Sequence, residues 1–299
     1  MGRTVNPAAA RSVAPGAAER SEPAPRPFLK WVGGKTQLLD QMKPLLPKAW
    51  ERYFEPFVGG AALFFELRAQ RPEMPAFLSD VNAELVSCYR AVRDDVEAVL
   101  RALGKHVYES DHYYAVRALN PAELPPAERA ARTIFLNKTG YNGLYRVNRS
   151  GQFNVPFGRF TKPLFRDPDN LRACSRALRD ASILHADFSN VLELAKKGDF
   201  VYFDPPYVPL SPTSDFTAYI PGGFGEAEQR KLAEVFAKLA RRGVNVMLSN
   251  SDTELVRELY DGFDIQVVYA SRSVNSNAAR RGKLAEVVVR SHGRSKKSS

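Results

Sequence analysis

The chain has 299 residues, 44% of them hydrophobic, enough for one large α/β domain with an insertion or for two modest domains. No apolar run approaches the roughly 20 residues that span a bilayer as a helix and no secretory core is evident, which predicts a cytoplasmic protein with no membrane partner. Two distant cysteines and four scattered histidines form no metal-ligand pattern, while 43 Lys and Arg against 33 Asp and Glu give a formal charge of +10 and favour a polyanionic partner.

In chain order, residues 1–26 are rich in Ala, Pro and Arg without periodicity and are expected to form a disordered tail. Leu38, Leu39, Met42, Leu45 and Leu46 follow helical spacing, with Thr36 as the predicted N-cap. Arg52–Glu55 and Ala76–Ser79 read as short buried strands. From about Glu84 to Leu171 the pattern turns helical or irregular and dense in Arg, Tyr and Asn, which predicts an insertion the size of a small domain. Strands resume at Ser182–Ala186, Asp199–Phe203 and Val244–Leu248. A helix is predicted near 226–241, built on Leu232, Val235, Phe236 and Leu239 and ended by Gly243. Strands alternating with helices imply a mainly parallel sheet covered on both faces. Residues 291–299 are a basic, Ser-rich tail.

Open α/β sheets bind ligands at the carboxyl ends of their strands. Three predicted strands end in notable residues: one in Pro56-Phe-Val-Gly-Gly60, one in Asp80, one in Asp204-Pro-Pro-Tyr207. The glycines allow close backbone approach. An acid some 20 residues later can accept hydrogen bonds from two ribose hydroxyls, although Asp80 alone reads equally as a helix N-cap. In Asp204-Pro205-Pro206-Tyr207 two prolines remove two backbone donors and leave carbonyls free to face the cleft. An exocyclic amino group is a poor nucleophile, because its lone pair is delocalised into the ring. A carboxylate and a carbonyl accepting its two N–H bonds favour a pyramidal nitrogen, with a stabilisation that grows as positive charge develops. Tyr207 can stack on the base.

With these segments stand Phe28-Leu-Lys-Trp-Val-Gly-Gly-Lys35, Asn137-Lys-Thr-Gly-Tyr-Asn-Gly-Leu-Tyr-Arg146 and Gly151-Gln-Phe-Asn-Val-Pro-Phe-Gly158. Their order over about 27–290 resembles that of Dam-type (class D12) DNA adenine-N6 methyltransferases. The resemblance implies a Rossmann-like, S-adenosylmethionine-dependent methyltransferase sheet with an inserted, mostly helical DNA-recognition domain. It divides the chain into a catalytic domain (27–83 and 172–290) and a target-recognition domain (84–171). It implies methyl transfer to adenine N6 in duplex DNA by base flipping, at GATC; the cysteine and histidine pattern adds the expectation of no metal. Trp31, Lys35, Phe57, Gly59, Asp80, Asp187, Phe188 and Asp204 match donor-binding positions, and Asp204 to Tyr207 match the catalytic segment.

In the insertion, Tyr141 and Asn142 match residues that intrude into the duplex when a base is flipped out. Arg146 can form two hydrogen bonds to a guanine edge, and Leu144 and Pro156 can meet a thymine methyl. Arg159 and Lys162 suit phosphates, and Lys30 suits a flanking base or phosphate. A cognate restriction endonuclease is a further partner that the family allows, and localisation would be nucleoid-associated through DNA. One departure is visible: where the family loop reads Glu-Pro-Phe-x-Gly-x-Gly, this chain has Ala61 in place of the second glycine, with Gly60 beside it expected to supply the freedom. Two other readings remain at this point: an amino-group methyltransferase with an RNA or protein-amide acceptor, and a catalytically silent DNA-binding homologue.

Overall fold

The computed structural model describes residues 23–148, 150–210, 223–270 and 284–292. The expected N-terminal tail up to residue 22, and residues 293–299 of the basic tail, lie outside the described residues. Elements follow the order α1 (Leu39–Met42), β1 (Tyr53–Pro56), α2 (Ala62–Gln70), β2 (Ala76–Asp80), α3 (Ala83–Asp94), α4 (Val96–Gly104), α5 (Ser110–Ala118), α6 (Pro126–Thr139), α7 (Pro168–Leu178), β3 (Ser182–His185), α8 (Val191–Leu194), β4 (Phe200–Phe203), α9 (Glu226–Arg241), β5 (Asn245–Ser251), α10 (Glu254–Leu259), β6 (Asp264–Ala270) and β7 (Leu284–Arg290).

The seven described strands form one sheet in the order β3-β2-β1-β4-β5-β7-β6. The first five are parallel, and β7 runs antiparallel to both β5 and β6. This is a Rossmann-like α/β arrangement whose order reverses between β1 and β4, the crevice where such sheets bind ligands. Strand β4 (Phe-Val-Tyr-Phe) is buried along its whole length, as a central strand covered on both faces requires. Its side chains alternate between two cores. Phe200 and Tyr202 join Tyr53, Leu78 and Ile183 on one face. Val201 and Phe203 join Phe54, Val246 and Leu248 beneath Leu232, Val235, Phe236 and Leu239 of α9 on the other.

The predicted strands match observed ones within a few residues, and α9 matches the predicted helix. Gly243 adopts φ +79° just past α9, and Val244 N–H reaches back to the Leu239 carbonyl at 3.2 Å, closing the helix end. Strands β6 and β7 went unanticipated. The stretch Leu38–Leu46 departs from expectation: it folds as a single α turn between two 3-10 turns. Pro44 lacks the N–H that would continue the ladder. Thr36 lies inside the first turn and caps nothing through its side chain.

Helix α3 packs against β2 and β3 as well as against α4, α6 and α7. The apolar core is therefore continuous from Tyr53 and Leu78 in the sheet to Tyr113, Phe135 and Leu136 in the insertion. Ahead of these elements, Arg26 is fastened to the start of α7. Its N–H donates to Asn170 Oδ1 at 2.9 Å and its guanidinium pairs with Asp167 at 3.0 Å.

Candidate active site and nucleic-acid interface

The loop after β1 is held in a narrow range of shapes. Phe57 and Ala61 both adopt the left-handed region, at φ 65° and 54°, as does Gly59 at 45°. The glycine missing from the expected pattern thus falls on a position that takes up the left-handed turn itself, at the N-cap of α2. Gly60 does not supply the freedom expected of it, being absent from the positive-φ residues. Gly59 is required for close approach as well: a Cβ there would lie 2.8 Å from Trp31 Cδ1. Its N–H reaches Asp80 Oδ2 at 3.3 Å, and Asn82 N–H reaches Asp80 Oδ1 at 2.9 Å. Asn82, not Asp80, caps α3, accepting from Leu85 N–H at 3.1 Å. Burial raises the Asp80 carboxyl to about 6, against the pull of these backbone donors.

Phe57 also reaches the β3 end. Its ring stacks on Phe188 with centroids 5.2 Å apart and meets Phe203 and Phe224 edge-on. Asp187 precedes Phe188, caps the following turn through Ser189 N–H at 3.0 Å, and pairs with Lys231 at 3.1 Å. Trp31, Phe57, Gly59, Asp80, Asp187 and Phe188 are therefore brought together by a chain of contacts at the carboxyl ends of β1, β2 and β3.

Asp204 lies at the end of β4 on the same side. Lys35, only 3% exposed, places its Nζ 2.6 Å from Asp204 Oδ1 and also donates to the Gly33 carbonyl. No hydrogen-bond geometry is otherwise satisfied at that buried oxygen, so the ion pair is what covers it. Burial pushes the Asp204 carboxyl up to about 6; Lys35 opposes the rise and Glu286 adds to it. Beneath it, burial drives the Glu55 carboxyl to about 8, although it accepts the Tyr53 hydroxyl at 2.8 Å. The Tyr207 hydroxyl donates to Glu286 Oε2 at 2.6 Å, and Lys35 Nζ sits 4.7 Å from the Tyr207 ring centroid. The Pro206 carbonyl is occupied by Gln229 Nε2 at 2.8 Å, whereas no donor among the described residues reaches the Pro205 carbonyl.

Five of the eight residues expected at DNA, Tyr141, Asn142, Leu144, Arg146 and Pro156, fall on two facing stretches, 139–148 and 150–158. Gly140 bridges Phe157 and Val147 bridges Phe153. Asn142 (φ 55°) and Gly143 (φ 65°) are the central residues of a tight turn in which Leu144 N–H reaches the Tyr141 carbonyl at 3.2 Å. The turn leaves the Tyr141 side chain 52% exposed. Arg146 is exposed at the hairpin edge, with Nε on Asn154 Oδ1 at 2.7 Å. Leu144 is half-buried against the core, while Pro156, Arg159 and Lys162 are exposed. Lys30 lies over the Phe160 ring at 4.7 Å and against Gly143, where a Cβ would collide with its stem. Helix α5 supports the hairpin: Tyr113 hydroxyl and Arg117 both donate to the Val155 carbonyl, at 3.0 and 3.1 Å.

The loop after β1 and the hairpin meet at Trp31, which lies against Gly59 and stacks on Tyr145 with ring centroids 5.2 Å apart. Buried Asn137 binds both backbone groups of Lys30, at 2.7 and 2.8 Å, and the Gly143 carbonyl at 3.2 Å. Sequence reasoning assigned no role to Asn137, Tyr145, Gln229, Asn250 or Glu286. Asn137 and Tyr145 stood within a quoted motif, whereas the other three carried no local signal.

A Rossmann-like sheet with an acidic-Pro-Pro-Tyr segment at its switch point, joined to a basic hairpin, is the arrangement of an amino-group methyltransferase acting on nucleic acid. The chain belongs to the D12 class N6 adenine-specific DNA methyltransferases, the family that matches residues 31–274. It is 42% identical over 276 residues to a type II methyltransferase, M1.LlaDCHI, of Lactococcus lactis subsp. cremoris, covering 90% of this chain and 96% of that one. It is 42% identical to the type II methyltransferase M.MjaIII of Methanocaldococcus jannaschii, covering 86% and 95%. It is 38% identical to the DNA adenine methylase of Escherichia coli, covering 88% and 94%. Likeness to solved structures is loose: TrmN from Thermus thermophilus aligns with a TM-score of 0.36 at 12% identity, covering 87% of this chain and 49% of that one. The protein is thus an adenine-specific DNA methyltransferase. No described helix is long and apolar enough to cross a membrane, and no described cluster of His, Cys, Asp and Glu could hold a metal ion.

Proposed function

We propose that the protein transfers a methyl group from S-adenosylmethionine to N6 of the adenine in duplex GATC, after flipping that base into the cleft beside Asp204. The observation that carries the reading is Asp204 itself. Its carboxylate is anchored by Lys35 at 2.6 Å and stands next to a Pro205 carbonyl with no described donor.

The donor set fits the proposed cofactor. Asp80 carries one backbone donor on each oxygen and retains lone pairs for two ribose hydroxyls. Phe57 and Phe188 offer an aromatic wall to an adenine, and Trp31 closes the near side of the Gly59 loop. When bound, S-adenosylmethionine supplies the electrophilic sulfonium methyl. Lys35 holds Asp204 Oδ1, which orients the carboxylate. That carboxylate and the Pro205 carbonyl accept the two N–H bonds of the target amino group, and both bonds strengthen as positive charge develops on the nitrogen. Tyr207 stacks on the base.

On the hairpin, Tyr141 and Asn142 enter the duplex at the vacated position. Arg146 exchanges Asn154 for guanine O6 and N7, and Leu144 and Pro156 face a thymine methyl. Lys30, Arg159 and Lys162 contact the backbone or a flanking base. The division into a catalytic domain (27–83 and 172–290) and a recognition domain (84–171) is part of the same proposal.

The experiment is methyl incorporation from labelled S-adenosylmethionine into unmethylated plasmid, followed by endonucleases that distinguish methylated from unmethylated GATC. Altered cleavage at GATC alone is expected. Incorporation confined to other sequences, with GATC cleavage unchanged, overturns the assignment of the hairpin residues.

A further inference from the structure

The segment after β4 is held from three separate elements. From α9, Gln229 Nε2 donates to the Pro206 carbonyl at 2.8 Å. From β5, Asn250 Oδ1 accepts Val208 N–H at 3.0 Å. From β7, Glu286 accepts the Tyr207 hydroxyl at 2.6 Å. Gln229 and Asn250 are also joined to each other, Nδ2 to Oε1, at 3.0 Å. Gln229 is 1% exposed and Asn250 is 0% exposed, so both amides are shielded from bulk water.

Two adjacent carbonyls, those of Pro205 and Pro206, are the candidates to accept an amino N–H, because no backbone N–H among the described residues reaches either one. They cannot serve interchangeably, since successive carbonyls of an extended chain point in different directions. We propose that Gln229, oriented by Asn250, is a positioning residue that withdraws the Pro206 carbonyl from the cleft and leaves the Pro205 carbonyl, with Asp204, as the pair that receives the target amino group. This inference rests on the role proposed above for Asp204.

The chemistry of the pair is suited to the task. An amide can donate and accept at once, so Gln229 takes the Asn250 N–H on its oxygen while its nitrogen holds Pro206. Asn250 in turn accepts on its oxygen both Ser251 N–H of its own strand, at 2.8 Å, and Val208 N–H, two residues beyond Pro206, at 3.0 Å. The two buried side chains therefore fix the segment on both sides of Tyr207. A shift of the segment by a fraction of an ångström would leave donor binding and duplex binding intact while misaligning the two acceptors.

The test compares Gln229→Met, Gln229→Glu and Asp204→Ala with the wild type in single-turnover methylation of duplex DNA, alongside donor KM and duplex Kd. Gln229→Met removes both hydrogen bonds at similar length. It is expected to lower the rate roughly 100-fold, the cost of a misplaced reacting group, with donor KM and duplex Kd unchanged. Gln229→Glu keeps the acceptor for Asn250 and can donate to Pro206 only when protonated, so its rate relative to the wild type should rise as pH falls. A purely structural role would give neither the split between rate and binding nor that pH-dependent recovery. A wild-type rate in Gln229→Met, with Asp204→Ala inactive, overturns this inference and leaves the reading of Asp204 standing. Full activity in Asp204→Ala overturns both. Should Gln229→Met fail to fold, a ratio for Gln229→Glu that is flat with pH overturns the inference.

Discussion

Asp204 has two properties that pull in different directions at neutral pH. Its carboxylate must be ionised to accept an amino N–H, yet burial raises its carboxyl to about 6. Lys35 at 2.6 Å limits that rise and keeps most of the group charged near neutrality. The sign follows directly. As pH falls through about 6 the acceptor gains a proton, so the single-turnover rate at saturating donor and duplex should fall roughly tenfold per unit on the acid side. Asp80, also raised to about 6, titrates nearby and should show itself in donor KM rather than in the chemical rate. A single-turnover rate at saturating donor that is level from neutrality to well below 6 would contradict the role given to Asp204.

Three non-glycine residues adopt left-handed φ among those described, and all fall in the proposed site: Phe57, Ala61 and Asn142. Such strain collects where surrounding structure over-determines a functional shape. At Asn142 the conformation and the side chain can be separated. Asn142→Gly keeps the turn and Asn142→Ala strains it by about 1 kcal/mol. If the side chain meets the orphaned base, both variants lose activity on duplex DNA to a similar degree. If only the turn matters, Asn142→Gly retains it. Arg146→Ala should cost about 1–3 kcal/mol at a single base position and relax specificity there. Competition among substituted duplexes reads this, and a uniform loss across all sequences would make Arg146 a phosphate contact instead.

At the scale of elements, the recognition hairpin depends on helices that make no proposed contact with DNA. Tyr113 of α5 is fully buried and donates to the Val155 carbonyl. Tyr113→Phe should lower stability by about 1 kcal/mol, seen as a lower denaturant midpoint at unchanged slope. An unchanged midpoint would mean that Arg117 alone satisfies that carbonyl. The five parallel strands were legible because each is a short apolar run bounded by polar or turn residues. Asp204 and Asp80 were legible because a strand's carboxyl end is where chemistry collects. The amides of Gln229 and Asn250 and the carboxylate of Glu286 were not. Each lies on a different element, and only the sheet order β4-β5-β7 with α9 above it brings them to one loop. Leu38–Leu46 carried a true apolar pattern, but hydrophobic spacing does not register the missing N–H of Pro44.

Across the whole molecule, the sheet and the hairpin proposed to read DNA share one continuous core, and the loop after β1 meets that hairpin at Trp31, Tyr145 and Asn137. On the proposed reading, in which exposed Arg159 and Lys162 meet phosphates, the net charge of +10 puts much of duplex affinity in backbone contacts. Duplex affinity should therefore fall steeply with salt, and Arg159→Ala and Lys162→Ala should each reduce the logarithmic slope by about 1. The same division separates binding from catalysis. The most direct measurement is single-turnover methylation of a GATC duplex by Asp204→Ala, with duplex Kd measured in parallel. Loss of turnover by about 1,000-fold or more with duplex affinity largely kept is the predicted result. Turnover at the wild-type rate, or a fall in turnover matched by an equal fall in affinity, would contradict it.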